Sequence, residues 1–156
     1  KEIDAVVTVA TKGIPVAYAI ASILNKPVIT IRRDNKVTEG TTVAINYVSG
    51  STKKIETMIL SKRSLNNHSK VLLVDDFMRG GGVLTGMESL MNEFDVEVIG
   101  KVILTQCYDS PREHESDYLY LSKIENIDEY NGSFDVKIGN VIEKLKEVEK
   151  EDLTNE

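Results

Sequence analysis

Val71-Leu72-Leu73-Val74-Asp75-Asp76-Phe77-Met78-Arg79-Gly80-Gly81-Gly82-Val83 decides how this chain is read. Four aliphatic residues in succession have the composition of a strand buried on both faces. Two acids end that strand, and three glycines then open a helix through Leu84, Met87, Leu90 and Phe94. Adjacent carboxylates repel, and at a strand end they are costly unless a partner donates hydrogen bonds to both. The vicinal hydroxyls of a ribose do so. Glycines let the backbone curl until successive N–H groups at a helix N-terminus converge on one phosphate. A ribose 5-phosphate satisfies both halves. No Gly-Lys-Ser/Thr follows, so this is not a Walker loop, and the acids precede the glycines, which excludes the dinucleotide fingerprint. Asp-Asp or a glycine run alone is common in turns; the order strand, acid pair, glycines, helix sets this one apart.

Working outward, Ile3 to Val9 is a second buried strand, stopped by Ala10-Thr11-Lys12-Gly13. Pro15 suits a first helical turn, Ala17, Ile20, Ala21 and Leu24 supply an apolar face, and Asn25-Lys26-Pro27 ends the helix. Val28 to Ile31 follows as a strand, giving a right-handed βαβ unit. Val96 to Leu104 supplies the next strand after the glycine-opened helix. The fold class is therefore α/β, a doubly wound and mainly parallel sheet with ligand sites beyond the strand carboxyl ends. Thr41 to Val48 and Lys54 to Leu60, joined by Ser49-Gly50-Ser51-Thr52, read as a β-hairpin. Beyond Leu104 the pattern loosens, and the short pieces Tyr118 to Leu121 and Phe134 to Ile138 predict a small C-terminal accessory subdomain. Asn140 is expected to cap a last helix bearing Val141, Leu145 and Val148 on one face. Residues 1–150 form one domain and 151–156 an acidic tail.

At 156 residues, with 41% hydrophobic and 28% charged, the chain has the makings of a single soluble domain. No apolar run approaches the ~18 residues of a bilayer span, the N-terminus lacks a secretory pattern, and a lone Cys107 suits a reducing compartment. The cytoplasm is expected and a membrane partner is not. Cys107 and the four methionines read as core residues, and His68 and His114 lack the companions of a metal site. The net charge is −6, yet between Arg32 and Arg63 seven basic residues face three acids. An acidic body is a poor partner for DNA or anionic lipid; a local basic patch on it suits a small, multiply phosphorylated ligand.

These blocks resemble the type I phosphoribosyltransferase family, whose signature is an apolar strand, Asp-Asp and a phosphate loop. Thr11-Lys12-Gly13 is similar to that family's pyrophosphate loop and Arg32-Arg33-Asp34-Asn35-Lys36 to its basic segment. The hairpin carrying Tyr47 stands where the family has a mobile loop that closes over ligand. The family's motif ends in Thr where this chain has Val83, which removes a hydroxyl contact and leaves the backbone donors. Ala10 to Pro15, Asp34 to Gly40, Ile45 to Ser51 and Asp75 to Met78 further resemble a regulatory branch, the purine-operon repressors of Gram-positive bacteria. The likeness covers Ile3 to about Leu104 and weakens beyond.

The resemblance implies a non-catalytic sensor that binds phosphoribosyl pyrophosphate (PRPP) as an effector, with Mg²⁺ accompanying it and (p)ppGpp as a competitor. The residues it implies are Ala10, Thr11, Lys12, Gly13, Arg32, Arg33, Lys36 and Tyr47, with Asp75, Asp76, Phe77, Met78, Arg79, Gly80, Gly81, Gly82 and Val83. It also implies a homodimer, and operator DNA bound through a winged-helix domain upstream of, and absent from, this chain. An active purine phosphoribosyltransferase, transferring ribose 5-phosphate from PRPP to a purine base, is the alternative left open.

Overall fold

A six-stranded sheet in the order β2-β1-β5-β6-β7-β8 organises the computed structural model, which describes residues 2–34, 40–50, 52–107 and 117–154. Its strands are β1 (Ala5–Val9), β2 (Val28–Ile31), β5 (Lys70–Arg79), β6 (Glu97–Cys107), β7 (Leu119–Asp128) and β8 (Ser133–Ile138). All neighbours pair in parallel except β7 and β8. The remaining strands, β3 (Thr42–Val48) and β4 (Ile55–Ser61), form a separate antiparallel hairpin.

Side chains alternate across a strand, and here the alternation divides two cores. Val6 and Val74 pack with Ala17 and Ala21 of α1 (Gly13–Leu24). Val7, Val71 and Leu73 face the other way, against Leu84, Met87, Leu90 and Met91 of α2 (Gly82–Glu93). The two helices thus cover opposite faces, as the buried parallel strands require. Asn25 ends α1 in the left-handed conformation with its N–H on the Ser22 carbonyl. The hairpin lies on the α2 face, where Tyr47, Met58 and Leu60 are buried. Its backbone is tied to the end of β2 by reciprocal hydrogen bonds between Arg32 and Ile59. Cys107 and all four methionines are buried.

Three expectations are corrected. Asp75 and Asp76 do not end their strand: β5 runs on to Arg79, which pairs with Cys107, because β6 continues beside it and satisfies the extra backbone. The pieces after Leu104 do not form an accessory subdomain but extend the main sheet as β7 and β8, while residues 108–116 lie outside the described residues. Asn140 stands at the head of α3 (Val141–Thr154), its backbone carbonyl accepting from the Lys144 N–H at 3.1 Å. Its Oδ1 accepts from the Tyr120 N–H and its Nδ2 donates to the Tyr118 carbonyl, both at 2.9 Å, pinning the helix start to β7. The first four residues of the expected tail are helical, since α3 reaches Thr154. Among the described residues no helix is long and apolar enough to cross a membrane.

Candidate functional site

The chain leaves β1 toward β2 on one side and later leaves β5 toward β6 on the other, so a topological switch point falls between β1 and β5. Open α/β sheets bind ligands in the crevice beyond the strand carboxyl ends at such a point. A cleft of about 710 Å³ opens there, lined by Val9, Ala10, Thr11, Lys12, Arg33, Asp75, Asp76, Phe77 and Val83. Two cations, Lys12 and Arg33, and the acid pair share its lining.

Gly13 makes this approach of β1, α1 and β5 sterically allowed. A Cβ there would lie 2.3 Å from Thr8 Oγ1 and 3.5 Å from Asp75 Oδ1. Asp75 is buried, and its Oδ1 accepts from the Asp76 N–H at 3.0 Å. Burial, reinforced by the Asp76 charge, pushes its carboxyl up to about 7, with Arg33 pulling weakly the other way. Adjacent acids held this way accept hydrogen bonds from ligand hydroxyls, while Lys12 and Arg33 match phosphate oxygens. The Ala10–Thr11 peptide is cis.

The glycines are placed differently from the expectation. Gly80 and Gly81 both take positive φ, 71° and 69°, turning β5 into α2. They do not line the main cleft; Gly81 lines a smaller opening with Gly50, Phe77, Met78, Arg79 and Val83. The hairpin turn sits against this loop, backbone on backbone. A Cβ on Gly50 would come 1.8 Å from the Arg79 carbonyl oxygen, and one on Gly82 1.8 Å from that of Val48. These two glycines permit the hairpin to seat. The free N–H groups of the first α2 turn still belong to a helix start with no side-chain cap.

Of the other residues, Arg33 lines the cleft whereas Arg32 does not. Met78 is a core side chain. Tyr47, expected over the ligand, is instead buried in the hairpin core, its ring against Gly86 of α2. Lys36 lies outside the described residues.

Glu56 was missed by sequence reasoning. Its carboxylate accepts from Tyr47 Oη at 2.7 Å and from Thr52 Oγ1 at 2.9 Å, and forms an ion pair with the Arg33 guanidinium. The Tyr47 bond chiefly, with Thr52 and Arg33 adding, holds this carboxyl below its usual range. Burial and the same bond push the Tyr47 phenol up to about 12. Glu56 stands directly opposite Tyr47 in the hairpin register, so a correctly counted turn would have brought it forward. It is a carboxylate sharing the cation that faces the cleft.

Family profiles match the phosphoribosyl transferase domain over residues 1–138. The chain belongs to that family. This phosphoribosyltransferase-type domain is 50% identical to the "Probable purine biosynthesis transcriptional regulator PurR" of Streptococcus pneumoniae, over 94% of the chain and 54% of that protein. It is 47% identical to the "Purine biosynthesis transcriptional repressor PurR" of Bacillus subtilis, over 94% of the chain and 52% of that protein. The chain spans about half the length of these curated relatives. Its fold is similar to the crystal structure of APRTase from Giardia lamblia complexed with 9-deazaadenine. That match has a TM-score of 0.62 and 25% identity, covering 67% of this chain and 58% of that one.

Proposed function

We propose that this domain is the ligand-sensing module of a cytoplasmic transcription regulator of purine synthesis, binding PRPP in the β1/β5 cleft without turning it over. The observation that carries the reading is that the Asp75-Asp76 carboxylates and the cations Lys12 and Arg33 line one cleft. Carboxylates accept from the ribose hydroxyls, and the two cations neutralise diphosphate charge. The names of the two relatives support the regulatory half of the proposal. Operator DNA would be bound by a further domain, since a net charge of −6 disfavours it here.

Among the described residues no group of three or more His, Cys, Asp or Glu could cage a metal ion. The donor set fits a Mg²⁺ that arrives on ligand oxygens and meets Asp75 and Asp76; when bound it would neutralise diphosphate charge. A guanine nucleotide carrying diphosphates presents the same anionic groups and would compete.

The alternative, an active purine phosphoribosyltransferase, is favoured by the family match itself. Calorimetric titration with PRPP, with and without Mg²⁺, tests binding, and the Asp75→Ala/Asp76→Ala variant is expected to lose it. Retention of affinity in that variant would remove the site. Incubation with PRPP, Mg²⁺ and each purine base tests turnover, and nucleotide formation at ordinary enzyme rates would replace the sensor with the enzyme.

A further inference from the structure

Every residue of β1 is buried, and all but Thr8 are aliphatic. Thr8 has no exposed surface, and among the described residues its Oγ1 has no hydrogen-bond partner. Burying an unbonded hydroxyl costs free energy that a valine of nearly the same shape would avoid. Native proteins keep few such groups, and functional sites are among the places that keep them.

Thr8 pairs with Val74, so Asp75 stands one residue farther along the neighbouring strand. Gly13 shows how near the two side chains come. The point that a Gly13 Cβ would take lies 2.3 Å from Thr8 Oγ1 and 3.5 Å from Asp75 Oδ1. Hydroxyl and carboxylate therefore border one small space at the head of α1. Asp75 lines the cleft and Thr8 does not, so a ligand in the cleft is sensed by Thr8 through Asp75. Oδ1 already accepts from the Asp76 N–H at 3.0 Å, and a carboxylate oxygen has lone pairs for a second donor. Hydrogen bonds behind a binding group are often long without ligand and tighten in its complex.

We propose that Thr8 is a positioning residue for the ribose: as ligand binds, its hydroxyl donates to Asp75 Oδ1 and fixes the carboxylate so that the other oxygen meets a ribose hydroxyl. This rests on the reading of the cleft as a PRPP site and adds to it a residue sealed behind the acid pair. Gly13 belongs to the same arrangement, because a Cβ there would collide with the hydroxyl. The buried hydroxyl thus trades stability of the unliganded chain for grip on the sugar.

Calorimetric titration of wild type, Thr8→Val and Thr8→Ser tests it, with PRPP and Mg²⁺, and with ribose 5-phosphate and inorganic pyrophosphate without metal. Valine keeps the shape and removes the donor, whereas serine keeps the donor. Thr8→Val is expected to bind PRPP and ribose 5-phosphate about tenfold more weakly. Pyrophosphate offers Asp75 no hydroxyl and should bind as it does to wild type. Thr8→Ser should stay within about twofold of wild type for all three ligands. Thermal melts without ligand supply a second readout: relieved of an unbonded hydroxyl, Thr8→Val should melt higher than wild type. A residue that merely supports the fold would lower stability and affinity together, and would weaken pyrophosphate too, since Thr11 and Lys12 follow β1 directly. The inference fails if Thr8→Val binds PRPP as wild type does, if its loss extends equally to pyrophosphate, or if Thr8→Ser shares it. Wild type that binds neither PRPP nor ribose 5-phosphate would remove the sensing reading itself, and this inference with it.

Discussion

Asp75 sits buried at the carboxyl side of the switch point, beside a second carboxylate, and its raised affinity for a proton makes stability depend on pH. Because its folded-state pKa, about 7, exceeds the ordinary carboxylate value, the folded chain holds this proton more tightly than the unfolded one. The associated stability is fully present below about pH 4 and is lost as pH rises through about 7. Asp75→Asn keeps the shape and removes the buried charge. It should be more stable than wild type by about 1–2 kcal/mol near pH 8 and close to it near pH 4, as urea unfolding at the two pH values would show. Glu56 holds Arg33 by an ion pair beside the cleft. Glu56→Gln retains a group that Tyr47 can donate to while releasing that cation. PRPP affinity is expected to rise about threefold, read by calorimetry; a weaker complex would mean that Glu56 orients Arg33 rather than competing for it. The acid pair could be seen in the sequence because the two carboxylates are adjacent. The Arg33–Glu56 pair could not, because 23 positions separate its members.

At the scale of elements, the hairpin and the glycine loop are built to touch. With Gly82 too close to the Val48 carbonyl for any Cβ, Gly82→Ala must push the hairpin off the loop or distort the first turn of α2. The expected loss is about 1–3 kcal/mol in chemical denaturation, the size seen for overpacking at a rigid site. An unchanged midpoint would show that the hairpin is not seated there in solution. Three glycines in a row suggest a phosphate cradle or a plain turn and say nothing of a hairpin seat, because a sequence shows that side chains are missing and not what occupies their space. The strand end was misjudged for a related reason. The aliphatic run stops at Val74, but β5 continues as long as β6 offers hydrogen-bond partners, to Arg79. Likewise β7 and β8 carry mixed, half-exposed faces, whose weak alternation does not announce that they join a parallel sheet.

For the whole molecule, ligand that binds only the folded chain must raise its stability by mass action. With Mg²⁺ and PRPP at about a hundred times the dissociation constant, unfolding should cost about 2.7 kcal/mol more. The Asp75→Ala/Asp76→Ala variant should show no such gain in the same melts. Identical ligand-induced gains in both proteins would place binding outside the cleft. The succession of strands and helices as far as β6 and the parallel pairing of β1 with β2 are legible in residue order, because apolar periodicity and turn chemistry act over a few neighbouring residues. Packing in three dimensions alone set the seat of the hairpin on Gly82 and the sharing of Arg33 by Glu56. Each of these depends on which distant backbones come within contact distance, and a linear pattern of hydrophobicity carries no record of that distance.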